Sequence, residues 1–531
     1  MVLMHSYQLA KEWTRSYETR SFWNVHRAHT ASYRGAPSTR WPQFPQALSE
    51  LTELPRLHTG LGNFRQTPLL LKEHPIMSSV ISVYNPATEE QIGEVPAYDL
   101  PDVNAAVERA GAAQRAWVRK PLAERRDALW AIADAVIAHS DELALLESTD
   151  VGKPLAAARQ EVLGVAECFK YYAGTVDKIL GDTIPVDGGV SMTFREPLGV
   201  VAVIAPWNFP LPIASWSIAP ALASGNSVIV KPAALTPLST VRFGEIVKEL
   251  GVVGDALQVL TGSGARIGNA LAEHPDVNKV SFTGSTEVGR SIVQTASTTM
   301  KRVSLELGGK SASIVYNDVD LAKCLQAAPM SVFDNTGQDC CARSRFLVQR
   351  GIFDEFVEGF IETTRALKIG NPLDDKTNLG PLVSAAHRDT VSSFLENGLN
   401  VVTAGEVPDG PGFWMAPRIV IAPDPKSRVA TDEIFGPIAS VIPFDTEEEA
   451  IALANSSIYG LSGSIWTNDV GQALRTARAL ESGTLSVNSN SSIRIQTPYG
   501  GFKQSGIGRG LGQAAIEAYT ELKTVFVRTE P

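Results

Sequence analysis

The sequence predicts an α/β protein with two domains, each built around a parallel sheet. Short, continuously apolar segments alternate with helical stretches, which is typical of a parallel sheet covered on both faces. The alternation stops at a polar, cysteine-containing segment and then resumes, which indicates a second α/β domain. A chain of 531 residues is also too long for a single hydrophobic core. The predicted strands cover residues 199–205, 227–231, 257–260, 279–282 and 312–316, and then 345–348, 439–443, 463–466 and 483–487.

The composition argues against several classes of protein. The chain has 57 acidic and 47 basic residues, for a net charge of −10, and no basic stripe is present, so we expect no nucleic-acid partner. Continuous apolar runs are too short to span a membrane. The four cysteines form no Cys-x-x-Cys pair and are too few for a disulfide framework, which predicts a cytoplasmic location.

Residues 1–76 differ from the rest of the chain. The run 21–48 carries arginines, tryptophans and prolines without helical or strand periodicity, so we expect a poorly ordered N-terminal extension. An alternative, which we prefer, is that the protein starts at Met77. The pattern then predicts a strand over 80–84, a turn over 85–88, and helices over 101–118, 122–139, 141–150 and 155–172.

Residues 183–195 are predicted to form a β-hairpin. Two extended runs are joined by Asp187-Gly188-Gly189, which has the composition of a tight turn. Because an isolated two-stranded ribbon is only marginally stable in water, we expect this one to pair with another segment or another chain.

Three unusual segments follow strands of the first series. Open α/β sheets bind ligands just outside the carboxyl ends of their strands, so these segments are candidates for a binding site. In the third of them, Gly-Ser-Thr opens a helix and offers free N–H groups to a phosphate, although glycine also makes ordinary turns. The segments are Pro206-Trp207-Asn208-Phe209-Pro210, Lys231-Pro232-Ala233-Ala234, and residues 282–289.

The segment 333–343 contains two adjacent cysteines, Cys340 and Cys341. They are either small buried apolar residues or include a nucleophile at a loop-to-helix junction, where N–H groups favour the thiolate. Glu306 lies between two leucines and is either a paired structural carboxylate or a general base with a raised pKa. No histidine occurs in any of these segments, so Glu306 is the best candidate to accept a proton from a cysteine nucleophile.

In order and spacing, these segments resemble the NAD(P)-dependent aldehyde dehydrogenase superfamily over about residues 80–527. The resemblance includes the Pro-Trp-Asn-Phe-Pro segment, residues 282–289, 306–310, 335–340 and 433–437, and the run 498–506. It implies a Rossmann-like cofactor domain, an α/β catalytic domain and a small β-ribbon that makes a homodimer or homotetramer. The implied boundaries are 77–178 and 197–308 for the cofactor domain, 309–505 for the catalytic domain, and 179–196 and 515–531 for the ribbon.

The resemblance also assigns roles to residues. Cys340 corresponds to the nucleophile, Glu306 to the general base and Asn208 to the side-chain donor of the oxyanion hole, while Cys341 is a neighbour. The reaction implied is oxidation of an aldehyde to the acid through a thioester that a Glu306-activated water hydrolyses, with no metal required. Cofactor-binding positions are Pro206, Trp207, Lys231, Ala234, Gly284, Ser285, Gly289, Leu307, Glu433 and Phe435. Substrate-binding positions are Phe209, Trp216, Asp334, Asp339, Ile493 and Tyr499.

Departures from the family pattern bear on specificity. Many NAD-preferring members have a glutamate where this chain has Ala234, so we predict that NAD is used and NADP tolerated. Asp334 and Asp339 stand where relatives often have apolar residues, which favours a cationic substrate unless the acids cap backbone or pair with Arg343 or Arg345. Arg494 favours an acidic semialdehyde instead.

Two other functions are compatible with the same residues. One is a CoA-acylating semialdehyde dehydrogenase, in which CoA resolves the thioester, but such enzymes usually lack a glutamate at the position of Glu306. The other is a non-catalytic relative with a structural or binding role, which the intact Cys340, Glu306 and Asn208 disfavour.

Overall fold

A computed structural model describes residues 79–529 of the chain. The predicted extension over residues 1–76 therefore lies outside the described residues. Within residues 79–529, no helix is both long enough and apolar enough to cross a membrane.

A six-stranded sheet forms one half of the described chain. Four successive pairs are parallel, and only the edge strand Gly506–Ile507 runs antiparallel to its neighbour. In Val200–Ile204, Val201 and Val203 pack into one hydrophobic cluster and Val200, Ala202 and Ile204 into another. Both faces are therefore covered, as the apolar pattern predicts. In order across the sheet, the strands are Gly506–Ile507, Arg302–Glu306, Lys279–Thr283, Val200–Ile204, Ser227–Lys231 and Leu257–Val259.

Helices cover the two faces of this sheet. The four predicted before the hairpin are present, with ends that differ by at most one residue from those expected. In chain order the helices are Leu100–Trp117, Leu122–Ala138, Ser140–Val151, Leu155–Ala173, Pro210–Ala223, Leu238–Leu250, Asn269–Glu273 and Thr286–Ala296.

A seven-stranded sheet forms the other half. It is parallel except for the edge strand Val401–Thr403, and buried side chains lie on both faces. Its strands, in order across the sheet, are Val401–Thr403, Arg418–Ile421, Ile438–Phe444, Arg345–Gln349, Ala312–Val315, Ser462–Trp466 and Thr484–Val487. The helices that follow are Leu321–Phe333, Phe353–Arg365, Ala385–Ser392, Arg428–Thr431, Glu447–Asn455, Val470–Ala479 and Gly512–Ala518.

The predicted hairpin is part of a three-stranded antiparallel ribbon. Thr183–Val186 pairs with Gly189–Pro197, and the latter pairs along its whole length with Thr520–Arg528. The ribbon leaves Phe194, Leu522 and Phe526 about half exposed. The remaining short pairs are Val80–Tyr84 with Gln91–Pro96 and Tyr459–Gly460 with Phe502–Lys503.

The structure corrects several details of the sequence analysis. Arg302–Glu306 is a strand that we did not predict, because its charged ends mask a short apolar centre. Ala312–Val315 belongs to the seven-stranded sheet, although its apolar pattern continues that of the first series. The short strands Val401–Thr403 and Arg418–Ile421 were also missed, and residues 515–518 of the expected ribbon lie in a helix. The α/β fold class is confirmed, whereas the exact domain boundaries stay a prediction.

Two helix ends provide a test of close packing around the first sheet. Gly152 and Gly251 both end helices in the left-handed conformation, with φ of 91° and 66°. A Cβ on Gly152 would lie 2.8 Å from Pro86 and 2.9 Å from Pro381, whereas a Cβ on Gly251 would meet open space.

We expect Gly251→Ala to lower the free energy of unfolding by about 1–2 kcal/mol, the cost of the left-handed backbone alone. Gly152→Ala should cost about 1–3 kcal/mol more, because it also overpacks the two prolines. Denaturant unfolding of the two variants measures the difference, and equal losses would show that the packing at Gly152 is loose.

Candidate active site

The carboxyl ends of three neighbouring strands converge at one edge of the six-stranded sheet. Ile204 is paired with Phe282, and Thr283 with Glu306, so the segments that follow these strands begin side by side. The backbone N–H of Gly284 donates to the carbonyl of Glu306 at 3.1 Å. The sheet topology therefore brings Pro206–Phe209, Gly284 and Ser285 together at strand ends, as predicted, and it adds Glu306, whose strand was not predicted.

The cysteines lie in a loop between the helix Leu321–Phe333 and the strand Arg345–Gln349. The expected loop-to-helix junction is therefore wrong: the loop follows one helix and leads into a strand, so no helix N-terminus is built around the thiol. The loop turns sharply at Asn335 and Thr336, whose φ angles are 47° and 57°.

Gln338 fixes the shape of this loop. Its side-chain amide donates to the Asn335 carbonyl at 3.0 Å, and its side-chain oxygen accepts from the N–H of Val383 at 2.9 Å. Its backbone carbonyl accepts from the side-chain amide of Asn208 at 2.9 Å. Asn335 in turn donates to the Asn208 carbonyl at 3.0 Å. The sequence analysis missed Gln338, because Val383 and Asn208 are distant from it in the chain.

The two cysteine side chains point towards the same tyrosine. The hydroxyl oxygen of Tyr499 is 3.6 Å from Cys340 Sγ and 3.1 Å from Cys341 Sγ. Cys340 is partly exposed, whereas Cys341 is only 4% exposed. The contact with the Cys341 thiol, together with burial, raises the pKa of the Cys340 thiol well above its usual value. The expectation of a thiolate-stabilising site is therefore not met in the free protein, and Cys340 needs a base.

Glu306 is suited to that task. It ends its strand, and its Oε2 is sealed from solvent and has no hydrogen-bond partner within residues 79–529. Burial raises the pKa of the Glu306 carboxyl well above its usual value, and the nearby Cys341 adds to the effect. A Cβ on Gly500 would lie 2.9 Å from Glu306 Oε1, so only glycine leaves space at this position.

Most of the predicted substrate residues surround the cysteines. Ile493, Trp216 and Tyr499 pack in one cluster with both thiols, and the rings of Trp216 and Tyr499 are 5.3 Å apart in an edge-to-face arrangement. The ammonium of Lys153 lies over the ring of Phe209, 4.1 Å from the ring centroid. This lysine is buried and paired with Glu161 at 2.5 Å and Glu147 at 3.6 Å, and the sequence analysis missed it.

Asp334 and Asp339 both bind backbone, as the structural alternative predicts. Asp339 accepts from the N–H of Cys341 and Asp334 from the N–H of Asn335, each at 2.9 Å. Burial and their mutual repulsion raise the pKa of Asp334, and burial raises that of Asp339. Asp334 nevertheless stays accessible to solvent, and Arg345 is engaged with the carbonyls of Lys310, Leu453 and Ala454. Asp334 can therefore still contact a ligand.

The predicted cofactor positions form a cradle that small residues keep open. A Cβ on Gly284 would lie 2.5 Å from the Phe282 ring, and one on Gly289 would lie 2.7 Å from Leu307. Ser285 caps the helix Thr286–Ala296. Free N–H groups at this helix N-terminus suit a diphosphate.

A lysine lies among the predicted cofactor positions at one end of this cradle, and aromatic rings lie at the other end. Lys231 is buried, and burial lowers its pKa to about 8; its Nζ donates to the Pro232 carbonyl at 2.7 Å. Ala234, close behind it, is half-buried. Trp207 and Phe435 lie 5.2 Å apart, and His387 packs against both rings. His387 was not predicted, since only the fold brings it here. These residues fit a dinucleotide.

Comparisons with known proteins show the family of the chain. The aldehyde dehydrogenase family model matches residues 75–525. The chain is 42% identical over 463 residues to phenylacetaldehyde dehydrogenase of Pseudomonas fluorescens, a match covering 84% of this chain and 92% of that protein. It is 41% identical to retinaldehyde dehydrogenase 3 of Mus musculus, with 85% and 90% covered.

Solved structures agree as well. The crystal structure of PnpE from Pseudomonas sp. WBC-3 superposes with a TM-score of 0.83 at 40% identity, covering 85% of this chain and 95% of that one. PnpE has also been crystallised with nicotinamide adenine dinucleotide. The chain belongs to the aldehyde dehydrogenase family, and the enzyme class inferred from its motifs is confirmed.

The exposure of the two thiols predicts their reactivity. We expect iodoacetamide to alkylate Cys340 before Cys341, and faster as the pH rises, because the thiolate is the reacting form and the pKa of Cys340 is raised. Peptide mass spectrometry locates the label.

Cys340→Ser should lower kcat at least about a thousandfold, while the matched variant Cys341→Ser stays active. Loss of activity in Cys341→Ser but not in Cys340→Ser would contradict the assignment of Cys340 as the nucleophile.

Proposed function

We propose that the protein oxidises an aldehyde to its carboxylic acid through a covalent intermediate on Cys340. The observation that carries the proposal is the dipeptide Tyr499–Gly500. Tyr499 contacts the thiol of Cys340, and Gly500 lies against the carboxylate of Glu306. Nucleophile and base thus face the same small region of the cleft.

The first step is attack of Cys340 on the aldehyde carbon. Because the pKa of Cys340 is raised, its proton must leave before attack, and Glu306 is the acceptor that the site offers. The side-chain amide of Asn208 gives one N–H to the Gln338 carbonyl, and its second N–H can donate to the substrate oxygen. Together with the N–H of Cys340 it would stabilise the oxyanion, by about 3 kcal/mol for each donor.

NAD, when bound, supplies the acceptor for the hydride of the substrate. The residues proposed to hold it are Lys231 at the adenosine ribose, Ser285 at the diphosphate and Glu433 at the nicotinamide ribose. Trp207 and Phe435 would flank the nicotinamide ring, which excludes water from the reacting face. A carboxylate at position 234 would repel a 2′-phosphate, so Ala234 supports tolerance of NADP.

The second step is hydrolysis of the thioester on Cys340. Glu306 has an unpartnered oxygen in a desolvated setting, which suits a base that activates water. This feature favours hydrolysis over transfer of the acyl group to CoA. The assembled Cys340, Glu306 and Asn208 also favour catalysis over a purely structural role.

The proposals on assembly and on location each rest on one feature of the protein. The half-exposed Phe194, Leu522 and Phe526 on the ribbon support a homodimer or homotetramer that covers them. Four free cysteines support the cytoplasmic location.

The general-base role predicts a pH dependence. Only the ionised carboxylate removes a proton, so kcat should rise as the pH climbs through the raised pKa of Glu306. We expect Glu306→Gln to lower kcat by about 10²–10⁴ and to flatten this rise. NADH absorbance measures both, and the exposed Glu358→Gln serves as the control. A Glu306→Gln variant with an unchanged pH profile would contradict the proposal.

A cationic end of the substrate is proposed to contact Asp334. We expect Asp334→Asn to lower kcat/KM about tenfold for an aldehyde with a protonated amine at its far end. A neutral aldehyde of the same length should be unaffected. Asp276→Asn, at an exposed remote site, provides the control. Equal effects on both aldehydes would show that Asp334 only supports the loop.

A further inference from the structure

Phe435 has a backbone conformation that its side chain disfavours. Its φ angle is 60°, in the left-handed region where residues other than glycine are uncommon. Such a conformation costs free energy and persists only where the surrounding structure determines it. The Phe435 ring lies 5.2 Å from the ring of Trp207, and both side chains are partly exposed. The strain therefore falls on a residue that the proposed function places beside the cofactor.

One side chain holds the peptide that follows Phe435. His387 Nε2 lies 2.8 Å from the carbonyl oxygen of Phe435. Because a carbonyl only accepts, the imidazole donates this hydrogen bond from Nε2. No other donor to this carbonyl is present among residues 79–529. The imidazole thus fixes the peptide on the carboxyl side of the strained φ angle.

The helix Ala385–Ser392 positions His387. The Ser384 hydroxyl caps this helix, because it accepts from the N–H of His387 at 3.2 Å. The same helix packs Val391 against Gly436, where a Cβ would lie 2.5 Å from a Val391 methyl carbon. The helix therefore holds the segment at two points, by a hydrogen bond and by close packing.

The cysteine loop holds the same segment from its other side. A Cβ on Gly337 would lie 2.3 Å from the carbonyl oxygen of Gly436. The rings of Trp207 and His387 meet edge to face, with centroids 5.2 Å apart, and the Phe435 ring lies 6.1 Å from the imidazole. Since Gly436 is fixed, the direction of the Phe435 ring depends on the peptide that His387 holds.

We propose that His387 is a positioning residue, whose hydrogen bond holds Phe435 in the left-handed conformation and thereby sets the Phe435 ring against the nicotinamide. The inference rests on the proposed function, in which Trp207 and Phe435 flank the nicotinamide ring. His387 acts through Phe435. Loss of the bond should therefore weaken the contact with the nicotinamide and leave the adenosine and diphosphate positions as they are.

Two substitutions separate the hydrogen bond of His387 from its ring. His387→Gln keeps an N–H donor of similar reach, whereas His387→Phe keeps an aromatic ring and removes the donor. The whole enzyme is titrated with NAD in a calorimeter. We expect His387→Phe to raise Kd about tenfold, because the Phe435 carbonyl loses its donor, and His387→Gln to stay within about threefold of the unmodified protein. His139→Phe, at a partly exposed imidazole, should change nothing.

ADP-ribose provides a readout that general damage to the site would not spare. This ligand has the adenosine, diphosphate and ribose of NAD but lacks the nicotinamide. Its Kd should therefore be the same in His387→Phe and in the unmodified protein. In a Phe435→Ala background, where no ring remains to be positioned, His387→Phe should have no further effect on the Kd of NAD.

Four results would overturn the inference. They are an unchanged Kd for NAD in His387→Phe, equal losses for NAD and ADP-ribose, a His387→Phe effect that persists in the Phe435→Ala background, and a loss in His387→Gln as large as in His387→Phe. If Phe435→Ala weakens NAD binding but His387→Phe does not, the inference fails while the proposed function stands. If the unmodified protein oxidises no aldehyde in the presence of NAD, the proposed function itself fails.

Discussion

The close approach of backbone at Gly308 and Gly309 is the constraint on which the active site depends. A Cβ on Gly309 would collide with the carbonyl of Cys340, and one on Gly308 would collide with Glu433. Ser505 secures the same turn, because its hydroxyl donates to the Gly308 carbonyl at 2.6 Å and its own carbonyl accepts from the N–H of Leu307.

This turn explains how residues far apart in the chain act together. Glu306 stands two residues before it, at the end of a strand of the six-stranded sheet, and Lys310 directly after it. The cysteine loop and Glu433 both belong to segments around the seven-stranded sheet. A diglycine without side chains lets the two halves meet at backbone distance, which places the proposed base Glu306, the proposed nucleophile Cys340 and Glu433 around one cleft.

Burial then determines the chemistry of these groups. The pKa values of Cys340 and Glu306 are both raised, so neither is prepared for its task as an isolated side chain. In the proposed mechanism each group depends on the other, since a protonated thiol needs a base and a desolvated carboxylate is a strong one. Tyr499 lies against the thiol of Cys340, and its neighbour Gly500 lies against the carboxylate of Glu306.

Much of the fold was predictable from local patterns. Continuously apolar strands such as Ser227–Lys231 were predicted to the residue, because both faces of a parallel sheet need apolar side chains. Arg302–Glu306 was missed since it carries charged ends, although it bears the proposed general base. The expected helix N-terminus at the thiol was wrong, because the direction of a loop depends on tertiary packing.

Site residues that stand in sequence motifs could be predicted. Residues whose contacts lie far away in the chain could not. Cys340, Glu306 and Asn208 stand in motifs that the family resemblance interprets. Gln338 accepts a hydrogen bond from Val383, which is 45 residues away, and Lys153 contacts Phe209. Neither contact can be predicted from the neighbouring sequence.

Mass spectrometry of the trapped intermediate tests the central claim most directly. Glu306→Gln should slow hydrolysis of the thioester, and at alkaline pH the Cys340 thiol ionises without the help of this base. Mixing the variant with NAD and an aldehyde at alkaline pH and quenching it in acid should therefore preserve the acyl group. The account predicts an added mass, equal to that of the acyl group, on the peptide that carries Cys340, and its fragments should place the group on that sulfur. An acyl group on Cys341, or none on either cysteine while the unmodified enzyme makes acid, would contradict it.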